Sequence, residues 1–382
     1  KNERFRRFIE TVPISMLVVD EAHCISEWGH NFRPDYLKLP HYQKQLKIPL
    51  VLLLTATAMR RVQKDMAQKF SIAYPHIVQT GFYRSNLDLD IVLPSCGNKQ
   101  QSLLTALERT EGGGIVYVTQ QKTADDIATF LTQRGYNARA YHAGLSSDLR
   151  STIQTRFMNG ETAIIVATIA FGMGIDKPDI RYVIHYDIPK SLEGYYQETG
   201  RAGRDGGDGH CLAFYSEKDV EKLKKFMSSK PKTEKDLSML LLEEVVGYCK
   251  STVSRRKYIL RYFGEDFNSI IDDGHNMDDN IRVQDSEKTN VKDELMTLLN
   301  LLNSVNSIYT QKILVNILMG EMTSILNSHN IETYLYYSKG KDKDEDFWNN
   351  LIWHAITEGM INKKIEDYGN LNISSIGLEF LN

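Results

Sequence analysis

Two apolar runs near the start of the chain each end in polar residues. Residues 14–19 are almost entirely apolar and are followed at once by Asp20 and Glu21, and a second run over residues 49–57 ends in Thr-Ala-Thr. This pattern is typical of buried parallel strands, which carry polar side chains at their carboxyl ends. Helical patterns lie between the two runs, so the sequence predicts a βαβ layout and an α/β fold.

The same alternation of strands and helices returns after a hinge predicted at residues 94–99. Strands are predicted at residues 115–118, 138–141, 163–168, 182–186 and 211–215, and helices at residues 121–135, 147–159 and 192–199. The sequence therefore predicts two parallel-sheet domains, over residues 1–82 and 83–216.

The remainder of the chain has mainly helical patterns, over residues 217–287 and then 288–382. In the last segment the predicted helices cover residues 293–303, 310–319, 322–329 and 346–358, and a hairpin follows at residues 360–365 and 370–373. Several helices followed by a short hairpin predict a winged-helix domain for residues 288–382.

Composition narrows the class of protein. The chain is 42% hydrophobic and 25% charged with a net charge of −3, so any surface for nucleic acid must be local. The four cysteines form no CxxC pair, which argues against a disulfide scaffold and fits a reducing cytoplasm. No apolar run approaches the roughly 20 residues that span a bilayer, so we expect no membrane partner and a cytoplasmic location.

The carboxylates after the first strand form a candidate metal and water site. Asp20 is placed to hold magnesium directly or through water, and Glu21 to orient or deprotonate a water that attacks phosphate. An ordinary acidic turn is the simpler alternative. The threonines of residues 55–57 can hydrogen-bond toward this tip, and Thr57 can also cap a helix predicted at residues 59–70. Both interpretations can hold together.

Two stretches of the second domain also carry candidate chemistry. Residues 167–176 follow a strand and contain glycines, which let the backbone approach a ligand. Residues 197–206 end a helix and present Arg201 and Arg204 among glycines. Arginine binds phosphate oxygens in a fork, which suits an arginine finger in phosphoryl transfer. A solvated pair of surface arginines is the alternative.

Four of these motifs together resemble motifs II, III, V and VI of superfamily 2 helicases: Asp20-Glu21-Ala22-His23, the Thr-Ala-Thr of residues 55–57, residues 167–176 and residues 197–204. Residues 24–36, with their closely spaced aromatics, are similar to the aromatic-rich loop of RecQ-type DNA helicases. The resemblance covers essentially the whole chain. It implies RecA-like lobes, the first incomplete, followed by a helical zinc-module-like region and a winged helix. It also implies ATP and Mg²⁺ as cofactors and single-stranded and duplex DNA as partners, with a single-strand-binding protein as a further candidate partner.

The motifs assign roles to particular residues. The catalytic candidates are Asp20, Glu21, His23, Arg201 and Arg204. The nucleotide-binding candidates are Asp20, Glu21, Thr55, Gly174, Asp176 and Gln197, with Asp20 as the ligand of magnesium. The DNA-binding candidates are Trp28, His30, Phe32, Arg33, His142, Thr168, Lys339, Lys341 and Tyr368.

The DNA-binding candidates have their own chemical rationale and their own alternatives. Trp28 and Phe32 can stack on unpaired bases and Arg33 can pair with phosphate, whereas the alternative is a loop whose aromatics pack in the core. The lysines of residues 338–343 suit duplex phosphates, although neighbouring acids make a plain charged loop the alternative. Tyr368 lies at the predicted hairpin tip and is the candidate wedge between the DNA strands.

The helical region matches only part of the family's zinc module. Residues 255–265 match its hallmark, but the positions of the zinc ligands fall on Ser254, Asp273, Met277 and Asn280. Cys249 and His275 are the remaining candidates nearby, and a structural zinc needs four ligands. We therefore predict no zinc, and a solvated acidic loop at Asp273, His275 and Asp278.

The phosphate-binding motif GxxxxGKS or GxxxxGKT does not occur in these 382 residues. The resemblance implies that the intact protein is an ATP-dependent 3′→5′ DNA helicase. Because the motif is missing from these residues, we expect this polypeptide alone to hydrolyse ATP weakly or not at all. The alternative from another class is a non-catalytic DNA-binding module built from the second lobe and the winged helix. An RNA helicase of the same superfamily is a weaker third interpretation.

Overall fold

The computed structural model describes residues 3–27, 32–94, 98–172, 175–267, 277–283, 289–305, 309–328, 331–364 and 369–382. The chain divides into two compact units. The first unit comprises Lys1–Phe82 and Tyr262–Glu265, and the second comprises Tyr83–Arg261 and Asp266–Asn382.

The first unit is built on two parallel strands, with Met16 opposite Leu50. Its elements are α1 (Glu3–Thr11), β1 (Met16–Val19), α2 (Leu39–Gln45), β2 (Leu50–Leu53) and α3 (Arg60–Phe70). One face of the strand pair packs against α3 around Val19, Val62 and Phe70.

The other face of this strand pair is open. Met16, Val18, Leu50 and Leu52 are between 43% and 56% exposed. The prediction of parallel strands is confirmed, but the prediction that they are buried is wrong on this face. Alternate side chains of a strand point to opposite faces, and no described element covers the second face.

The second unit begins with a six-stranded sheet in which all strands are parallel. Its strands are β3 (Leu87–Val92), β4 (Gly113–Tyr117), β5 (Ala138–Tyr141), β6 (Ile164–Ala167), β7 (Ile180–His185) and β8 (Gly209–Phe214), in the order β3-β8-β7-β4-β6-β5. Its helices are α4 (Lys99–Leu107), α5 (Gln121–Thr132), α6 (Ser147–Met158) and α7 (Leu192–Thr199). This arrangement confirms the α/β prediction, whereas β3 was not predicted.

Helices dominate the rest of the second unit. They are α8 (Glu217–Met227), α9 (Lys232–Lys250), α10 (Arg255–Tyr262), α11 (Asp279–Arg282), α12 (Lys292–Ser304), α13 (Gln311–Met319), α14 (Ser324–Ser328), α15 (Glu345–Thr357) and α16 (Ser375–Leu381). An antiparallel hairpin joins β9 (Ile361–Lys364) to β10 (Asn370–Ile373). The last helices and this hairpin share one apolar core around Leu299, Leu314 and Trp348, as expected for a winged helix. None of the helices described is both long enough and apolar enough to cross a bilayer.

Candidate functional site

The acidic tip of β1 has an unusual backbone. Asp20 is exposed, and its Oδ1 accepts a hydrogen bond of 2.8 Å from the Glu21 amide. Glu21 has φ +49° and ψ +42°, which is the left-handed region. A non-glycine residue there costs about 1–3 kcal/mol, and such residues cluster at functional sites. The strained turn therefore supports a functional role for this tip.

A buried histidine lies behind the two carboxylates. His23 is 1% exposed, and its Nδ1 lies 3.0 Å from Thr55 Oγ1 and 3.2 Å from Glu21 Oε2. Burial lowers the pKa of this ring, but hydrogen bonds to Cys24 and Glu21 and the charge on Glu21 outweigh burial and raise the pKa to about 9. The imidazole is therefore charged at neutral pH and lies against the Glu21 side chain.

The carboxyl ends of β1 and β2 meet because the strands are parallel neighbours. The Ala22 amide donates a 2.9 Å hydrogen bond to Leu54 O, and this places Thr55 beside His23. The threonine stretch therefore contacts His23, behind the two carboxylates toward which it was predicted to hydrogen-bond. The predicted cap is wrong, because α3 begins after Met59 and the buried Thr57 hydroxyl has no described hydrogen-bond partner.

The aromatic loop is only partly described. Trp28 and His30 lie outside the described residues. Phe32 is half-buried, and Arg33 is exposed while its amide donates a 2.9 Å hydrogen bond to Cys24 O. Tyr36 packs against the core of the first unit, so core packing explains that ring. The Arg33 side chain is therefore at the surface of the first unit.

The two candidate arginines of the second unit have different surroundings. Arg201 is 6% exposed, and its Nη1 donates a 2.6 Å hydrogen bond to Gly172 O. Its buried Nε has no described hydrogen-bond partner. Arg204 is more exposed and pairs at 2.8 Å with Asp176, which is a nucleotide-binding candidate. Two guanidinium groups three residues apart in the sequence are chemically suited to phosphate oxygens.

For the remaining nucleotide-binding candidates the structure gives position but no contact that bears on nucleotide binding. Gln197 is half-buried on α7. Gly174 lies outside the described residues.

Arg201 and Arg204 lie in the turn that follows α7, here called the arginine turn. The sequence analysis missed the residues that hold this turn. Arg84 donates hydrogen bonds to Ala202 O and Gly203 O at 3.0 and 3.2 Å. The Asn86 amide donates to Gly203 O and Gly207 O at 2.8 and 2.7 Å. Their one signal in the sequence is a pair of polar side chains just before an alternating apolar strand.

A buried histidine contacts the helix that precedes these arginines. His185 Nε2 on β7 lies 2.7 Å from Glu198 Oε2 on α7, and His185 is 1% exposed. This pair was not predicted either, because its two members belong to different elements and show no local pattern.

Two DNA-binding candidates come together at the carboxyl ends of β5 and β6. The Thr168 amide donates to Tyr141 O at 3.2 Å, which sets Thr168 beside the start of the His142 turn. The His142 ring is 5% exposed, and its Nε2 lies 3.1 Å from Asp125. Thr168 is partly exposed, whereas little of the His142 ring is accessible.

The lysines of residues 338–343 lie in a turn of the winged-helix region, and a hydrogen bond to the backbone of this turn holds it in place. The Trp348 indole donates a 2.8 Å hydrogen bond to Gly340 O. Lys339 and Lys341 on either side are exposed, whereas Lys343 pairs with Glu294 at 3.3 Å. Two of the three lysines are therefore available for phosphate. Tyr368, the candidate wedge, lies outside the described residues.

Family models match three consecutive parts of the chain. The Helicase conserved C-terminal domain matches residues 98–206, the RecQ zinc-binding family matches residues 217–303, and the RQC domain matches residues 285–382.

Individual relatives agree with these matches. The RecQ-like DNA helicase blm-1 of Caenorhabditis elegans is 41% identical over 259 residues, which cover 66% of this chain and 26% of that protein. The ATP-dependent DNA helicase RecQ of Pasteurella multocida is 31% identical over 370 residues, which cover 97% of this chain and 57% of that protein. The chain thus spans between a quarter and three fifths of the length of these relatives.

A solved structure is also similar. The structure of S. cerevisiae Dbp5 bound to RNA and ADP BeF3 is 20% identical and covers 63% of this chain and 66% of that chain, with a TM-score of 0.47. A likeness of that size carries no functional weight.

The match to the RecQ zinc-binding family overturns the prediction of no zinc. That prediction counted ligands at a few aligned positions, whereas a fold brings zinc ligands together from separate segments. Asp273 and His275 lie outside the described residues. Among the residues that are described, no three His, Cys, Asp or Glu side chains lie close enough together to hold a metal, so they identify no ligand set.

The described residues near the expected ligand positions are hydrogen-bonded to one another. Ser254 Oγ donates to Asp278 at 2.7 Å, and the Asn280 amide donates to Ser251 O at 2.8 Å. Asp278 is fully buried, so the expectation of a solvated loop is wrong for this residue. Its carboxylate is buried because backbone and hydroxyl donors surround it.

Proposed function

Because this chain belongs to the RecQ family of superfamily 2 helicases, we propose that it is part of an ATP-dependent DNA helicase that acts in DNA repair or recombination. The single observation that carries the proposal is the acidic tip of β1, where Glu21 adopts a left-handed conformation against a buried His23. We assign residues 1–82 and 83–216 to two RecA-like lobes, 217–287 to the zinc-module region and 288–382 to the winged helix.

The acidic tip would act on the attacking water. Glu21 accepts a proton from that water, while His23 holds the carboxylate in place and Thr55 contacts the His23 ring. Asp20 is exposed at the strand end and would hold magnesium, whose charge neutralises phosphate oxygens.

The arginine turn would act on phosphate charge. Arg201 and Arg204 supply guanidinium donors for the charge that develops in phosphoryl transfer. Arg84 and Asn86 hold the turn that presents them.

The DNA would contact Arg33 and Thr168 as a single strand, and Lys339 and Lys341 as a duplex. Guanidinium, hydroxyl and ammonium groups donate hydrogen bonds to phosphate oxygens, so these contacts suit a junction between single and double strands. Movement in the 3′→5′ direction and cooperation with a single-strand-binding protein are part of the proposal. Because the 382 residues contain no GxxxxGKS or GxxxxGKT motif, we expect this polypeptide alone to hydrolyse ATP weakly or not at all.

An unwinding assay on the protein encoded by the full gene tests the proposal. Duplex DNA with a 3′ single-stranded tail should be unwound in the presence of ATP and magnesium, and duplex DNA with a 5′ tail should not. Equal unwinding of both duplexes would contradict the direction. DNA binding without any ATP-dependent unwinding would favour a non-catalytic DNA-binding module.

A further inference from the structure

The turn after β7 places a lysine over an exposed aromatic ring. Lys190 Nζ lies 4.5 Å from the centroid of the Phe226 ring, on the last turn of α8. Phe226 is 61% exposed. A cation over the face of a ring is favourable, but it does not account for so large an apolar side chain at the surface. More than half of Phe226 remains accessible to a ligand.

The chain segment around this ring is rich in lysine. Residues 222–235 contain six lysines and one glutamate. The lysines in the last turn of α8 lie at the negative end of the helix dipole, which stabilises their positive charge. Lys230 pairs with Glu234 at 2.7 Å. Partial burial and the nearby Lys230 ammonium lower the pKa of Lys190. Charge is therefore crowded here, and a polyanion would relieve the repulsion.

The position of Lys190 connects this surface to the proposed DNA contacts. All six strands of the sheet are parallel, so their carboxyl ends lie along one edge. That edge carries His142 after β5, Thr168 after β6, Thr119 after β4 and Lys190 after β7. Thr119 and Asp187 of this row are joined by a 3.0 Å hydrogen bond. The lysine and the ring thus continue the row of strand ends beyond the motif residues.

We propose that Lys190, Phe226 and Lys230, together the lysine–aromatic patch, bind single-stranded DNA. A base stacks on the accessible part of Phe226, and the two lysines contact the adjoining phosphates. The inference rests on the proposed function and extends the DNA path to residues that the helicase motifs do not include. An acidic protein segment would use the lysines but would not need the aromatic face.

Fluorescence anisotropy with a labelled oligothymidine tests the patch in the 382-residue chain. Phe226→Ala should weaken binding about fivefold or more, because one stacked base is lost, and Phe226→Tyr should restore binding. Lys190→Ala should also reduce the slope of log affinity against log salt by about 0.7, which is the value for one phosphate on a single strand. The controls are Lys218→Ala, an exposed lysine in the first turn of α8, and Tyr74→Ala, a ring that is 81% exposed. Both controls should stay within about twofold of the unaltered chain.

The outcomes separate this inference from the proposed function. If the unaltered chain binds the oligonucleotide and Phe226→Ala binds equally well, the proposal that a base stacks on Phe226 is contradicted. The DNA-helicase proposal then still stands. If Lys190→Ala weakens binding but Phe226→Ala does not, the surface acts by charge alone and the stacking role is overturned. If the unaltered chain binds no single-stranded DNA, both the patch and the DNA path that it extends are contradicted.

Discussion

Glu21 adopts a backbone conformation that its side chain disfavours, directly beside a buried and charged imidazole. The strain and the ion pair depend on each other, because the left-handed turn brings the carboxylate within 3.2 Å of His23 Nδ1. At the residue scale, the charge state of His23 should therefore control the stability of the acidic tip.

We expect this histidine to make stability depend on pH. The folded-state pKa of His23 is about 9, above the ordinary value of 6.5. The contribution is therefore complete below about pH 6.5 and is lost as the pH rises through about 9. Its upper limit is about 3 kcal/mol, from the free energy of a shift of this size.

Urea unfolding at pH 6, 7.5 and 9.5 measures this contribution. His23→Gln should remove the extra loss of stability between pH 6.5 and 9.5, whereas His41→Gln, at an exposed histidine, should retain it. The same pH dependence in His23→Gln and the unaltered chain would show that His23 is not the titrating group.

Gly203 in the arginine turn should not tolerate a side chain. Its φ is +57°, and an added Cβ would lie 2.3 Å from Gly207 O and 2.5 Å from Asn86 Nδ2. Gly206 also has a positive φ, +87°, but a Cβ there meets nothing within 4 Å. Thermal unfolding should show Gly203→Ala to be about 1–3 kcal/mol less stable than Gly206→Ala. Similar stability of the two variants would mean that the turn can relax.

At the element scale, β3 shows where sequence patterns are insufficient. The strand alternates buried Leu87 and Leu89 with Asp88 and Asp90. Arg282 pairs with Asp88 at 2.7 Å, and the Leu89 amide donates to Met277 O at 3.1 Å. These partners lie nearly two hundred residues further along the chain. The local sequence of the stretch therefore resembles a charged loop and does not indicate a strand. By contrast, β5 and α7 were predicted with their observed limits.

The segment that binds β3 should depend on one buried carboxylate. Asp278 accepts hydrogen bonds from Ser254 Oγ at 2.7 Å, the Arg255 amide at 3.0 Å and the Ile281 amide at 2.9 Å. Asp278→Ala leaves these donors buried without a partner and should lower the free energy of unfolding by about 2–4 kcal/mol.

Chemical denaturation of the same chain provides the measurement and its control. Asp342→Ala, at a carboxylate that is 70% exposed, should change stability by less than about 0.5 kcal/mol. If Asp278→Ala is no more destabilising than Asp342→Ala, the buried carboxylate does not hold this segment.

At the scale of the whole molecule, the acidic residues belong to one compact unit and the arginines to the other. Sequence motifs identified both sets, because each set lies within a few consecutive residues after a strand or helix. The supporting contacts could not be predicted, since Arg84 reaches Gly203 and His185 reaches Glu198 only through the tertiary fold. The zinc prediction was wrong for the same reason, because it judged a spatial cluster from sequence positions.

The rate of DNA-stimulated ATP hydrolysis by the protein encoded by the full gene tests the central proposal most directly. Glu21→Gln keeps the size of the side chain but removes the proton acceptor, so the rate should fall by about 10²–10⁴-fold. Glu10→Gln, in α1, should leave the rate unchanged. A Glu21→Gln variant that hydrolyses ATP as fast as the unaltered protein would contradict the account.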